Sequence, residues 1–505
     1  MKLMKSILAL VLSASVLLPV YASQGKYDDL SPEDLNEVPT VSAYLLDSPL
    51  LQGEGTEESP YQISDLSDFE VFASAVNNGL EGYPDAYYRL TSNIDFTGAS
   101  YEPVGTANFP FSGVFDGNGY YLANITIDDS VIYAGAFGYV HNASIVNLGI
   151  KNANITSTVS SGEGRVYAGL LCGRYLGDDT AYVNYEILKC YATGSIRSYG
   201  VYVYAGGLIG DLETSGNLTF TIEDCYTDAE VYSETGIYSS YAAGIVGRVN
   251  SLHYATTIFN RLYSRSNVEA AGAKRALSFA GGIAGYYKQV NFSFIPSPSK
   301  SQATLMDSNS YNIQNCINTG YLKGSAGSAT NVNLGHIVAF TGSDSENTFG
   351  AVNNYYSDSL DIVTTSNSKN GTAKSIDSLC DETFLSEELG FDFTDTWMMY
   401  NDGNEQYPIL RTNNTDNTNN AVLIAEMNDG GLDVLPYNYG ESTVLAVAYS
   451  TLGRVVEVKI ASYLGDNEPV NIQMEELDNA ESITVFLFDS AETLMPLAEP
   501  QKIDI

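Results

Sequence analysis

The sequence predicts an all-β chain built from stacked repeats, and three observations carry that prediction. A seven-residue motif recurs at nearly constant spacing. Apolar runs are short and punctuated by Gly or Asn, with no long amphipathic helical period. Gly (45) and Tyr (38) are abundant while Lys plus Arg number only 23, which suits strands and turns better than exposed helices. With 505 residues the chain exceeds one ordinary core, so it holds several domains or one long array.

The clearest copy of the motif is Tyr204-Ala205-Gly206-Gly207-Leu208-Ile209-Gly210. Its relatives begin at Tyr133, Tyr167, Tyr241 and Phe279, and their final glycines are Gly138, Gly173, Gly247 and Gly285. The successive intervals are 35, 37, 37 and 38 residues. Gly335-His336-Ile337-Val338-Ala339 reads as a decayed sixth copy. Each unit is too small to bury a core alone, so copies must stack. The glycines are expected both to allow positive-φ turns and to let neighbouring backbones approach closely.

A second signature lies between the copies. Ile187 to Ile196 matches Ile222 to Val231, with weaker copies starting at Ile145, Ile258, Ile313 and Val352. This alignment places Leu148, Cys190, Cys225, Leu262, Cys316 and Tyr355 in one column. Leu and Tyr substitute for Cys there, so the position wants an apolar filler, and the cysteines read as inert core thiols. Cys172 and Cys380 complete an odd count of five, so one at least is unpaired within the chain. Spacing alone leaves the disulfide state open.

These motifs resemble the GLUG repeat family. Upstream, Tyr88 to Phe96, Glu102 to Gly105 and Phe111 to Gly119 look like the segment that opens such arrays, and Asn124 to Ile127 continues it. Trp397 with Tyr407-Pro408-Ile409-Leu410 looks like the close. The resemblance implies a right-handed parallel β-helix or β-solenoid in a secreted or cell-surface bacterial protein, often adhesin-like. Leu170 stands where the clearest copy has Gly207, and the sixth copy lacks its last Gly.

The expected organisation follows. Residues 1–22 read as a signal peptide, with Lys2 and Lys5 before an apolar run ending at Ala22. Residues 23–50 form an acidic leader, and 51–411 the solenoid. Ser67-Asp68-Phe69-Glu70 has capping-box form, and Phe69, Phe72, Ala73 and Val76 share a face. A short capping helix is therefore expected from 68 to 78, with Gly79 as its stop. Ser375 to Leu389 is expected as a helix or two short turns. Residues 412–420 form a polar linker. Alternating runs at Val444–Tyr449, Val455–Ile460, Val470–Met474 and Ile483–Phe488, separated by turn signals such as Leu452-Gly453-Arg454 and Gly465-Asp466-Asn467, make 421–505 a small antiparallel β-sandwich. Its ending, through Met495-Pro496-Leu497, resembles a module that closes secreted clostridial proteins.

The net charge of −38 excludes nucleic acid as a partner and disfavours anionic membranes. It keeps a long sheet protein soluble. No transmembrane segment is expected. His141, His253 and His336 occupy different phases of the repeat, so neither a zinc site nor a cofactor is expected. No catalytic residue is nominated. Asp178-Asp179, Asp128-Asp129, Glu223-Asp224 and Asp116 in Asp116-Gly117-Asn118-Gly119 read as solvated turn residues. Tyr167, Tyr204 and Tyr241 recur at one phase, and Tyr191, Tyr226 and Tyr263 at another. Inward packing is expected because each adjoins the apolar motif; outward columns would form an aromatic ladder. The leading functional expectation is a non-catalytic, adhesin-like scaffold for surface glycans or extracellular proteins. The alternatives are a carbohydrate-active enzyme on a β-helix and a structural envelope component.

Overall fold

The computed structural model describes residues 51–159, 164–252, 255–273, 275–289, 312–342, 350–360, 362, 369–401, 406–411, 422–428, 431–437, 442–450, 455–463, 470–474, 480–488 and 501–504. The signal peptide, the leader, the 412–420 linker, His253, the turns at 452–454 and 465–467, and Met495-Pro496-Leu497 lie outside the described residues. The chain forms two compact units, residues 1–398 with 410–413, and 399–409 with 414–505.

The first unit is all-β and its strands pair in parallel, copy on copy. Tyr133 pairs with Tyr167, Tyr167 with Tyr204, Tyr204 with Tyr241, and Tyr241 with Phe279. The strands after the motif glycines form a second, six-stranded parallel sheet: Phe137–His141, Cys172–Gly177, Ile209–Thr214, Val246–Ser251, Ala284–Gln289 and Val338–Thr341. Its neighbours follow chain order, so each 35- to 38-residue copy adds one strand. The decayed copy takes the last place, through Val338 opposite Ala284.

The motif glycines answer one of the two expected needs. None of Gly135, Gly138, Gly169, Gly173, Gly206, Gly207, Gly210, Gly244, Gly247, Gly281, Gly282 or Gly285 has positive φ. All sit where backbones converge. A Cβ on Gly210 would lie 2.6 Å from both the Ala168 nitrogen and the Gly173 oxygen of the preceding copy. Positive φ is supplied elsewhere, by Asn147, Lys189, Asp224, Arg261, Asn315 and Asn353, with φ between 50° and 56°. These residues recur at one bend of the repeat, and Asn is enriched in that left-handed region.

The next residue fills the interior: Leu148, Cys190, Cys225, Leu262 and Cys316 are all fully buried. The last member of this column is Asn354, not Tyr355. Ile313 pairs with Ala351 and Ile317 with Tyr355, because left-handed Asn353 sets the bend one residue earlier than the Val352 alignment implies. The Asn354 amide replaces the apolar filler by bonding, donating to the Ile313 carbonyl and accepting from the Cys316 N–H. All five cysteines are free thiols. Burial pushes the Cys172 and Cys225 thiols well up, and Cys316 to about 12.

A helix at Leu66–Asn77 covers the first strands. Its cap is Asp65, which accepts the Asp68 N–H at 2.9 Å, rather than Ser67. The Asp68 side chain turns back to Ser64 instead. Phe69 and Phe72 are buried against Phe96, Tyr88 and Phe115, which buries the apolar face of this short helix. Gly79 lies just beyond, at φ 63°. Near the other end, Ile376–Leu379 and Phe384–Glu388 form two short helical turns, the second of the two forms expected.

The second unit is antiparallel. Val422–Asn428, Gly431–Tyr437 and Val470–Gln473 make one sheet. Val455–Tyr463, Ser442–Tyr449, Ser482–Phe488 and Gln501–Asp504 make another, in that order. Leu432, Val434 and Ile472 of the first share a buried cluster with Val444, Ala446, Ile483, Val485 and Leu487 of the second. Among the described residues no helix is long and apolar enough to cross a membrane.

Candidate binding surface

The acidic pairs separate into two kinds. Asp178 and Asp179 sit at a turn, as expected: Asp178 meets His141 Nε2 at 2.7 Å. Asp179 accepts from the Ala181 N–H and the Tyr185 hydroxyl, which hold its carboxyl below the usual range. Asp116 likewise bonds the Asn118 N–H within its turn, and meets Arg89. Asp128 and Asp129 end the strand Thr126–Asp129. Asp224 is different and corrects the solvated-turn reading. It is buried, chelated by Arg261 at 2.7 and 2.9 Å, and accepts the Trp397 indole N–H at 2.9 Å. Glu223 also meets Arg261. Both carboxylates are consumed by structure, and Asp224 holds Trp397 of the closing segment against the repeats. Among the described residues no group of three or more His, Cys, Asp or Glu could hold a metal ion.

The Tyr columns are covered without lying in the interior: Tyr167, Tyr204, Tyr191, Tyr226 and Tyr263 are buried, Tyr133 and Tyr241 half-buried. Tyr133, Tyr167, Tyr204, Tyr241 and Phe279 stack with centroids 4.7 to 5.3 Å apart. Their sequence neighbours Val166, Ala168, Val203 and Ala205 point into the core, so strand alternation turns the rings the other way. The facing sheet roofs them. Arg174 lies 5.1 Å over Tyr167, Arg248 lies 4.5 Å over Tyr204, and Tyr286 and Phe340 cover Phe279. Between the arginines sits fully buried Asp211, bonded to Arg248 at 2.6 and 2.9 Å and 3.5 Å from Arg174.

This charge stack was legible but unread. The residue after each final glycine runs Tyr139, Arg174, Asp211, Arg248, Tyr286, an alternation at one repeat phase. The second column, Tyr191, Tyr226 and Tyr263, is covered by the closing segment. Trp397 lies 6.4 Å from Tyr226, and Cys380 Sγ is 3.7 Å from the Tyr263 hydroxyl. Neither column is an open ladder.

Exposed aromatic surface lies instead on the outer face of Tyr191–Gly206, Leu218–Ala243, Asn267–Gly272 and Leu322–Ser325. Tyr202 and Tyr238 stack at 4.7 Å, with Tyr238 52% and Ile237 55% exposed. Tyr199 and Tyr232 adjoin at 5.7 Å. Beside them opens a groove of about 500 Å³. Arg197, Tyr232, Glu269 and Lys323 cross it as one in-register row. Glu230 and Asn267 form the next row, bonded at 2.7 Å. Glu269 pairs with Lys323 at 2.8 Å, and Tyr321, 53% exposed, stands at the rim. Sequence reading missed this site because its residues come from four copies and only the register unites them.

No family model matches the chain. It is 34% identical to halomucin of Haloquadratum walsbyi over 117 residues, 21% of this chain and 1% of that protein. It is 31% identical to a Gly-rich membrane protein of Evansella cellulosilytica over 134 residues, 25% of this chain and 14% of that protein. The chain thus spans a small part of the length of the relatives it resembles.

Proposed function

We propose that this protein is a secreted or cell-surface binding scaffold: a GLUG-type β-solenoid followed by an antiparallel β-sandwich, with no catalytic role, that engages surface glycans or extracellular proteins. The observation that carries the reading is the stacked Tyr202–Tyr238 pair, half-buried Tyr202 under exposed Tyr238, beside a groove of mixed charge on an otherwise acidic chain. Exposed aromatic area of this kind marks contact surfaces. The solenoid reading rests on repeat copies that pair in parallel, in chain order and in register. Partial likeness to halomucin and to a Gly-rich membrane protein supports a surface or secreted setting.

The test is binding of the full chain to a panel of glycans, mucins and matrix proteins, with the Tyr202→Ser/Tyr238→Ser variant alongside. Retention of at least one panel member, weakened in the variant, is expected. Failure to retain any member, or cleavage of a glycan by the wild-type chain, would overturn the reading.

A further inference from the structure

We infer that the groove between Arg197 and Tyr321 is a saccharide subsite, and that its ligand is a neutral, hydroxyl-rich sugar. The inference deepens the scaffold reading and rests on it. Three features select the ligand chemistry.

The first is charge. The chain carries −38 overall, yet the groove's ionised side chains balance: Arg197 and Lys323 against Glu230 and Glu269. A polyanion would meet the repulsion of the whole chain without a local cationic excess to offset it. A cation would meet carboxylates already engaged by Asn267 and Lys323.

The second feature is the pairing itself. In Glu230–Asn267 and Glu269–Lys323, a carboxylate keeps acceptor capacity beyond the bond it makes, while the amide or ammonium retains further N–H donors. Each pair therefore offers donor and acceptor side by side. A sugar diol, whose hydroxyls both donate and accept, matches that arrangement. Phosphates and carboxylates, which only accept, do not. The bonds already present hold these side chains in place, which lowers the entropy lost on binding.

The third feature is the ring at the rim. Tyr321 is 53% exposed, and its backbone N–H donates to the Asn267 side-chain Oδ1 at 3.1 Å. A half-exposed ring on an anchored backbone is a platform for the apolar C–H face of a pyranose, while the polar edge of the sugar turns toward the two pairs. The groove lies between rows of adjacent strands, so its length runs across the repeats and suits a linear chain.

The test uses the full chain and two sets of probes, read by saturation-transfer NMR and titration. One set is neutral hexasaccharides of glucose, mannose, galactose and xylose. The other is oligogalacturonate and hyaluronan fragments. Binding of at least one neutral probe is expected, about tenfold weaker in Tyr321→Ala and weaker again when Glu230→Gln is added. Circular dichroism should be unchanged in both variants, because Tyr321 is half exposed.

Three results would overturn the inference. Binding of the anionic probes alone would reject the neutral class, yet leave the scaffold reading standing. Binding lost in Tyr238→Ala but kept in Tyr321→Ala would move the glycan to the neighbouring platform. Retention of a matrix protein with no saccharide signal would remove the sugar and keep the scaffold. If nothing binds in either set or in the wider panel, the scaffold reading fails first.

Discussion

Gly210→Ala isolates the role of the repeat glycines. Gly210 has no positive φ, so alanine meets no backbone penalty of its own there. The new Cβ would lie 2.6 Å from the Ala168 nitrogen and 2.6 Å from the Gly173 oxygen. Ordinary contact begins at 3.4 Å, so the preceding copy must retreat by 3.4 − 2.6, about 0.8 Å. Both obstructing atoms belong to backbone and cannot rotate away. Such a shift stretches ladder hydrogen bonds from ~2.9 Å to ~3.7 Å, past the useful range. Losing about two, at ~1 kcal/mol each, together with repacking, gives a cost of about 2–3 kcal/mol. The control is Gly236→Ala, where nothing lies within 4 Å and φ is not positive. It should be neutral within ~0.5 kcal/mol. Urea unfolding followed by far-UV circular dichroism reads both, as midpoint shifts at constant slope. Equal stabilities for the two variants would refute the close-approach role.

Other consequences follow from the same packing. Asp211→Asn should cost about 3 kcal/mol by urea unfolding, because it removes the buried carboxylate between Arg174 and Arg248 and leaves them only the partly exposed Glu213, 3.7 and 3.6 Å away; a loss below ~1 kcal/mol would mean that Glu213 and the Tyr rings satisfy the arginines. Burial raises the Cys172, Cys225 and Cys316 thiols, so at pH 8 no more than two of the five cysteines should react promptly with an aromatic disulfide before unfolding; prompt reaction of all five would contradict their burial. Burial lowers the imidazole of His336, stacked 3.6 Å from Tyr356, from 6.5 to about 4. Between those values the unfolded chain binds the extra proton, so stability should fall as pH drops from 6.5 toward 4. In His336→Gln that contribution to the slope should vanish, and an unchanged slope would show that His336 is protonated in the fold.

What was legible depended on periodicity. The motif places Tyr167, Tyr204 and Tyr241 in one phase, and parallel pairing puts them side by side. The Cys190–Cys225–Cys316 column was readable because Leu148 and Leu262 fill the same place. Three things escaped. Whether a strand residue faces in or out is a one-residue matter, and a ring beside an apolar motif can still face away from the core. Asn353 moved the last bend by one position, which propensity alone does not reveal. The groove draws Arg197, Glu230, Glu269 and Lys323 from strands of four copies, so no local window contains it. The switch from Ser67 to Asp65 as helix cap has a simpler cause: both are good caps, and Asp65 reaches the Asp68 N–H.

The stacking of copies in register is the premise beneath the scaffold and the groove alike, and cysteine trapping tests it directly. Arg197 and Tyr232 are paired neighbours on the outer face, so their Cα atoms lie ~4.8 Å apart, within bridging range. Arg197 and Glu230 share that face two residues out of register, beyond the ~7 Å limit. Under oxidised glutathione, Arg197→Cys/Tyr232→Cys should close an intramolecular disulfide, while Arg197→Cys/Glu230→Cys should retain its introduced thiols. Closure of the second pair, or none in the first, would contradict the stacked register.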